Sequence, residues 1–291
     1  MSNPPMSLDN LVVPGVRMLE PYQPGKPVEE LERELGITGI VKLASNENPR
    51  SPSATVQRAI ASVVSEISRY PDGSGFQLKQ RLSDSLKVKS TNLTLGNGSN
   101  DVLELVVRSF VQPGEGVVIS AHAFAVYVLS ASAAGADLHI TPARDWGHNL
   151  EAMREAVDGA TRAVFVANPN NPTGTWVTSR QLCEFLDSLP THVIAVVDEA
   201  YFEYVEEEEY PDAVALLNDY PNLIVTRTFS KIYGLASLRI GYAIASESIT
   251  DILNRVRHPF NVNTIALAAA LAALDDEEFV RTSRQLNREQ M

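Results

Sequence analysis

Val193-Ile194-Ala195-Val196-Val197-Asp198-Glu199-Ala200-Tyr201 is a run of five apolar residues that ends abruptly in an acidic and aromatic cluster. A strand without polar alternation is buried on both faces, the pattern of a parallel sheet covered by helices. Working outward, residues 116–120, 137–141, 163–167, 223–228 and 240–245 read as further strands, several of them also continuous apolar runs. Helices at 125–134, 150–157 and 179–189 fall between them, the last opened by a Thr178…Gln181 capping-box spacing. This order predicts an α/β fold, a three-layer sandwich around a mostly parallel central sheet. Ligands of such sheets bind beyond the carboxyl ends of the strands, where residues 168–174, 198–201 and 230–239 all fall.

The chain of 291 residues has 44% hydrophobic and 21% charged residues, enough to bury a substantial core and unlike a disordered chain or a coiled coil. Its formal net charge of −12 argues against broad binding to nucleic acid or to an anionic membrane, so any anion site must be local. A lone cysteine, Cys183, cannot form an intrachain disulfide and points to a reducing compartment. No run has the length of a membrane span, and Met1-Ser2-Asn3-Pro4-Pro5 lacks the features of a signal peptide, so the expectation is a soluble, cytoplasmic chain.

The first 45 residues are proline-rich, with one short helical run at 28–35, and read as an arm. Ile40-Val41-Lys42-Leu43 reads as a short strand leading into the polar turn Ala44-Ser45-Asn46-Glu47-Asn48-Pro49. A helix over 53–68 ends before Arg69-Tyr70-Pro71-Asp72-Gly73, which puts Tyr70 on a turn. A second helix, 76–86, precedes a short strand at 93–95. The glycine turn Gly96-Asn97-Gly98-Ser99-Asn100-Asp101 and a helix over 102–110 follow, an anion cradle in which free amides and the helix dipole point at one place. Glu206-Glu207-Glu208-Glu209 reads as a solvated face, and helices from 264 to 274 and from 276 onward close the sequence.

Three polar clusters lie at strand ends. The first is the rigid turn Asn168-Pro169-Asn170-Asn171-Pro172-Thr173-Gly174. The second is Asp198-Glu199-Ala200-Tyr201, whose aspartate ends a buried strand and needs a positive partner or strong donors. The third, Thr226 to Tyr242, places Lys231 just past a strand, with Ser230 beside it and Arg239 eight positions on. A protonated pyridine nitrogen would satisfy Asp198, an aldehyde would capture Lys231, and a phosphate would suit the Gly98-Ser99-Asn100 cradle with Ser230 and Arg239. Pyridoxal 5'-phosphate has all three groups. Arg239 suits the phosphate because its planar fork stays charged and can bind two oxygens.

These motifs resemble the fold-type I aminotransferases, and among them the histidinol-phosphate aminotransferase family. The resemblance runs from about Leu19 to the end and includes Pro21-Tyr22-Gln23-Pro24-Gly25-Lys26-Pro27, residues 42–49, Arg69-Tyr70-Pro71-Asp72, all three clusters and Pro259-Phe260-Asn261-Val262-Asn263. It implies that Lys231 is the Schiff-base lysine and Asp198 the partner of the pyridine nitrogen, with Asn171 and Tyr201 bonded to the ring hydroxyl. Ser99, Asn100, Ser230 and Arg239 would hold the phosphate, Phe124 would stack on the ring, and Tyr22 and Asn46 would line the substrate side. Tyr70 would reach the cofactor of a neighbouring subunit, which implies a homodimer. The implied reaction converts L-histidinol phosphate and 2-oxoglutarate to imidazole-acetol phosphate and L-glutamate, without a metal.

Family members continue past the position of Met291 into a small domain that carries substrate-recognising arginines. The expectation is therefore a C-terminally truncated chain: an arm at 1–45, a cofactor-binding large domain at 46–275 and the beginning of a small domain at 276–291. Other readings stay open from the residues. Taken singly, Tyr70, Phe124 and Tyr201 read as half-buried aromatics, Asp198 as a helix cap and Arg239 as a surface ion-pair partner. An aromatic aminotransferase or a phosphothreonine decarboxylase would share the cofactor residues, and a non-catalytic cofactor-binding fragment is a further reading. A nicotinamide dehydrogenase fits poorly, because residues 96–101 lack the third small position of that fingerprint.

Overall fold

A computed structural model describes residues 11–23 and 25–291. The signal-peptide reading of residues 1–5 and the place of Pro24 in the arm lie outside the described residues. In chain order the elements are α1 (Pro14–Arg17), α2 (Val28–Leu35), α3 (Ala54–Val63), α4 (Phe76–Leu86), β1 (Leu93–Gly96) and α5 (Ser99–Phe110). Next come β2 (Gly116–Ser120), α6 (Ala125–Ala133), β3 (Asp137–Thr141), α7 (Leu150–Glu155), β4 (Thr161–Ala167) and α8 (Ser179–Ser188). The chain continues through β5 (Ile194–Asp198), β6 (Leu223–Thr228), β7 (Gly241–Ala245), α9 (Glu247–Val256), α10 (Thr264–Leu274) and α11 (Glu277–Gln290).

The strands form one seven-stranded sheet in the order β1-β7-β6-β5-β4-β2-β3. The ladders joining β3, β2, β4, β5 and β6 are parallel, whereas β7 pairs antiparallel with both β6 and β1. Burial on both faces explains the continuous apolar runs. Val117 and Ile119 face a core shared with α5, α6 and α9, while Val118 faces the core under α3, α4, α8 and α10. The predicted three-layer sandwich is therefore the observed architecture. In α10 the buried alanines Ala266, Ala269, Ala270 and Ala273 keep the helix slim against the sheet and α3.

Local signals behave as their chemistry requires. Thr178 and Gln181 close the expected capping box on α8, and Asn263 and Asp276 cap α10 and α11 by accepting the Ala266 and Phe279 amides. Three expectations need correction. Ile40–Leu43 is not a strand: Val41 and Leu43 are 77% and 91% exposed, and the segment pairs with neither sheet edge, so its strand-like composition has no ladder to join. The helix expected over 53–68 gives way to a 3-10 turn at Val64–Glu66, leaving Val64 and Ile67 exposed. Helix α5 begins at Ser99 and not at residue 102, because Gly98, at φ 82°, turns the chain and acts as its N-cap. The amphipathic helix α9 and the short α1 were not anticipated. The run Glu206–Glu209 is exposed, as expected.

Candidate active site

The carboxyl ends of β4, β5 and β6 open into a cavity of about 700 Å³ that also takes in the N-terminus of α5 and the start of α6. Of the predicted site residues, Tyr22, Asn46, Ser99, Asn100, Phe124, Asn171, Asp198, Tyr201, Ser230, Lys231 and Arg239 all line it. Tyr70 does not. The residue is 82% exposed and its ring stacks on Phe260 with centroids 4.8 Å apart, away from its own chain's cavity.

Asp198 is the last residue of β5 and is 5% exposed. Thr226, its register partner on β6, donates to Oδ1 at 2.9 Å, and the Tyr127 hydroxyl donates to Oδ2 at 2.7 Å. Burial raises the carboxyl pKa above its ordinary value, while those two donors, the Ala200 amide and the charge of Lys231 pull the other way. Tyr127 is itself fully buried and stacked on Phe165; burial next to Asp198 holds its hydroxyl protonated and donating. Neither Tyr127 nor Thr226 was singled out from the sequence. A tyrosine within the otherwise apolar run of α6 was the available signal, since a buried phenol needs a partner.

Lys231 follows β6 through the buried Phe229 and Ser230. Its Nζ donates to the Ser45 carbonyl at 3.1 Å and the Asn46 carbonyl at 3.4 Å, and lies 5.5 Å from the Tyr201 ring centroid. Burial lowers its pKa, and the nearby Arg239 acts in the same direction against Glu47 and Asp198. Ser45 and Asn46 sit at φ 73° and 50°, so this turn presents its carbonyls to the amine. Asn46 Nδ2 donates to the Tyr201 hydroxyl at 2.9 Å. The turn is braced from behind: Asn48 Nδ2 donates to the Ile232 carbonyl at 2.9 Å and to Ser283 Oγ at 3.0 Å. Arg50 grips the Phe279 carbonyl, Thr282 and Ser283 of α11 and covers the Phe279 ring.

At the other end of the cavity Arg239, at φ 55°, donates from Nη1 to Ser230 Oγ at 3.3 Å and to the Ala236 carbonyl at 3.1 Å. Its guanidinium lies so close to Gly98 that a Cβ there would sit 2.4 Å from Nη2. Gly241 likewise leaves room for the Ser99 amide, which an added Cβ would meet at 2.4 Å. Helix start, hydroxyl and guanidinium thus converge on one cationic corner. The 168–174 turn is pinned by Asn168, whose Oδ1 accepts the Val177 amide at 2.8 Å and whose Nδ2 donates to the Val177 carbonyl at 3.2 Å. Asn170 Nδ2 donates to the His122 carbonyl at 3.1 Å, and Asn171 is left facing the cavity.

A buried carboxylate, a cationic corner and an amine between carbonyls in one cavity make a site for an anionic, carbonyl-bearing ring. Comparison with known proteins agrees. The family described as aminotransferase class I and II matches residues 38–291. Histidinol-phosphate aminotransferase 2 of Pseudomonas aeruginosa is 57% identical over 279 residues, covering 95% of this chain and 76% of the relative. Histidinol-phosphate aminotransferase 1 of Nitrosococcus oceani is 54% identical over 277 residues, 95% of this chain and 75% of the relative. Among solved structures, histidinol-phosphate aminotransferase from Sinorhizobium meliloti, in complex with pyridoxal-5'-phosphate, superimposes with a TM-score of 0.86 at 32% identity, covering 94% of this chain and 73% of that one. With a match over most of its length and identities above one half to curated relatives, the chain belongs to the class I and II aminotransferases, in the branch formed by the histidinol-phosphate aminotransferases.

Proposed function

We propose that this chain is a pyridoxal 5'-phosphate-dependent transaminase acting on L-histidinol phosphate and 2-oxoglutarate, in histidine biosynthesis. The observation that carries the reading is the convergence of Asp198, Lys231 and the Ser99, Ser230 and Arg239 corner on one cavity. The residues fit that cofactor. The corner at Gly98 has no side chain of its own and three donors around it, as a phosphate requires, and Asp198 is a buried carboxylate with only neutral hydrogen-bond donors, as a cationic ring nitrogen requires.

When bound, the cofactor supplies an aldehyde for attachment and a ring that accepts electron density from the substrate α-carbon. Asp198 holds the ring nitrogen protonated, and it can do so because Thr226 and Tyr127 keep its two oxygens in place. Asn171 and Tyr201 hold the ring oxygen, Phe124 covers one face, and Ser99, Asn100, Ser230 and Arg239 anchor the phosphate. Lys231 would hold the cofactor through its aldehyde, and its Nζ, when free, would take the proton from the substrate α-carbon as general base and give it up again as general acid. Burial lowers the pKa of this lysine, which favours the neutral amine that such an exchange needs. Tyr22 and Asn46 line the substrate side.

The exposed Tyr70, stacked on Phe260 outside its own cavity, supports a homodimer in which it reaches the neighbouring site. Among the described residues, those before residue 46 form the arm and 46–275 the large domain. Among the described residues no helix is long and apolar enough to cross a membrane. The lone Cys183 supports a cytoplasmic setting.

The test is uptake and attachment. Incubation with pyridoxal phosphate is expected to give a yellow protein, and borohydride to fix the cofactor on Lys231, read by peptide mass spectrometry. Lys231→Ala should keep part of the affinity and lose the attachment. A protein that stays colourless, or is labelled elsewhere, would sink the cofactor assignment. Amino transfer from histidinol phosphate is expected to exceed that from phenylalanine and tyrosine; the reverse order would refute the substrate.

A further inference from the structure

We infer that Arg227, on the face of the sheet opposite the cavity, is a positioning residue that sets the placement of Tyr201; the inference rests on the reading of the cavity as a pyridoxal phosphate site. Asp198 and Thr226 are paired in register, so the next residues, Glu199 and Arg227, project to the other side. There Arg227 donates from Nε and Nη2 to Glu199 Oε2 at 2.9 and 2.7 Å, and from Nη2 to Asp212 Oδ1 at 2.7 Å. The same guanidinium lies 3.5 Å over the ring centroid of Phe202. The side chains of Arg227 and Glu199 are 4% and 0% exposed.

The consequence is local. Glu199 and Phe202 bracket Ala200 and Tyr201, and one guanidinium holds both brackets. Glu199 is fixed further by the Thr226 carbonyl, which accepts its amide at 2.8 Å, and by the Ala213 amide, which donates to Oε1 at 3.0 Å. Tyr201 then begins a single 3-10 turn at Phe202–Tyr204, too short to hold a position by itself. Asp198 has its own donors in Tyr127 and Thr226, whereas among the described residues the Tyr201 hydroxyl is bonded only by Asn46, on an exposed turn. The direction of the Tyr201 ring is therefore set from behind the sheet. Burial works against the charge of Arg227, yet Glu199 and the other acidic groups around it hold it ionised above the usual range.

A buried ion pair adds little to stability when both partners are replaced together, but Arg227 also serves Asp212 and faces the half-buried Glu203, so thermal unfolding is read beside every spectroscopic shift. That allows the positioning role to be separated from folding. The experiment uses the full chain loaded with pyridoxal phosphate and compares wild type, Arg227→Met combined with Glu199→Gln, Arg227→Lys, and Tyr201→Phe. The glutamine keeps an acceptor for the Ala213 amide. Readouts are the pH midpoint at which the bound chromophore changes colour, and thermal unfolding without cofactor.

A Tyr201 hydroxyl that donates to the ring oxygen favours the deprotonated chromophore, so losing it raises the midpoint by about one unit. The paired variant is expected to lose some thermal stability, because Asp212 and the half-buried Glu203 lose their cation, and to show the same rise as Tyr201→Phe. Adding Tyr201→Phe to it should change nothing further, because both act through one hydroxyl. Arg227→Lys should give a smaller rise, since an ammonium can reach Glu199 but cannot stack its plane on Phe202. A wild-type midpoint in both Arg227 variants, or shifts that add to that of Tyr201→Phe, would overturn the inference. A wild-type chain that takes up no pyridoxal phosphate would remove the reading of the cavity itself, and this inference with it.

Discussion

Gly98→Ala probes the cationic corner most directly. Gly98 has φ 82°, and its missing Cβ would lie 2.4 Å from Arg239 Nη2 and 3.0 Å from Cζ. To regain ordinary contact the guanidinium must retreat by about 1 Å. Its Nη1 bond to Ser230 Oγ already spans 3.3 Å, so that retreat breaks it. The guanidinium is the far end of a flexible side chain, so the fold itself accommodates the move and the loss falls on the phosphate. One charge-assisted hydrogen bond is worth ~1.5–3 kcal/mol, which predicts pyridoxal phosphate affinity lower by roughly 10- to 100-fold. A non-glycine residue at this φ also costs about 1–3 kcal/mol of folding stability. Gly114→Ala is the control: its φ is 83°, with nothing within 4 Å of the added Cβ. It should show a comparable stability loss and unchanged affinity. Cofactor titration followed by absorbance, with urea unfolding of the cofactor-free chains, separates the two effects. Affinities within about twofold of each other in the two variants would refute the assignment of this corner to the phosphate.

Two further outcomes follow from the buried polar groups. Tyr127→Phe keeps the ring that stacks on Phe165 but strips Asp198 Oδ2 of its donor, so the fold should survive with a cost of ~1–3 kcal/mol, and turnover should fall about tenfold; unchanged turnover would count against Asp198 as the group that holds the ring nitrogen. His148 has its pKa lowered by burial to about 4, and its Nδ1 has no partner among the described residues. Because the folded value lies below the ordinary ~6.5, the unfolded chain binds a proton that the native chain does not, and stability falls as pH drops from about 6.5 towards 4, by at most ~3 kcal/mol. Urea unfolding at both pH values should show that loss reduced in His148→Gln; an equal loss in the variant would exclude His148 as its source.

The sheet was legible because strands buried on both faces need no polar alternation, so 193–197 and its neighbours stood out from the amphipathic helices. The site was legible for a related reason: parallel strands bring their carboxyl ends together, so three polar clusters far apart in sequence had to meet. What sequence could not supply was partnership. Ile40–Leu43 has a strand's composition and no edge to pair with. Tyr127 could be read as a phenol in need of a partner, and Thr226 as one of three polar residues ending β6, but nothing local names Asp198 as the group both donate to. The reversal of β7 was readable in principle, since 12 residues separate it from β6 and they hold no α-helix able to make a parallel crossover. Helix α9 also carried a signal, Ile249 and Leu253 one turn apart behind Ser246.

The brace behind the Asn46 turn bears on how the protein matures. Lys231 reaches a carbonyl 186 residues earlier in the chain, and Asn48 reaches a hydroxyl 235 residues later. Contacts of such separation form late, because the entropy of closing long loops must be overcome before they contribute anything. A fragment that stops short of Ser283 lacks this brace on the Asn46 turn. Competence to take up the cofactor should therefore appear as one of the last events of refolding, after the helical signal has recovered.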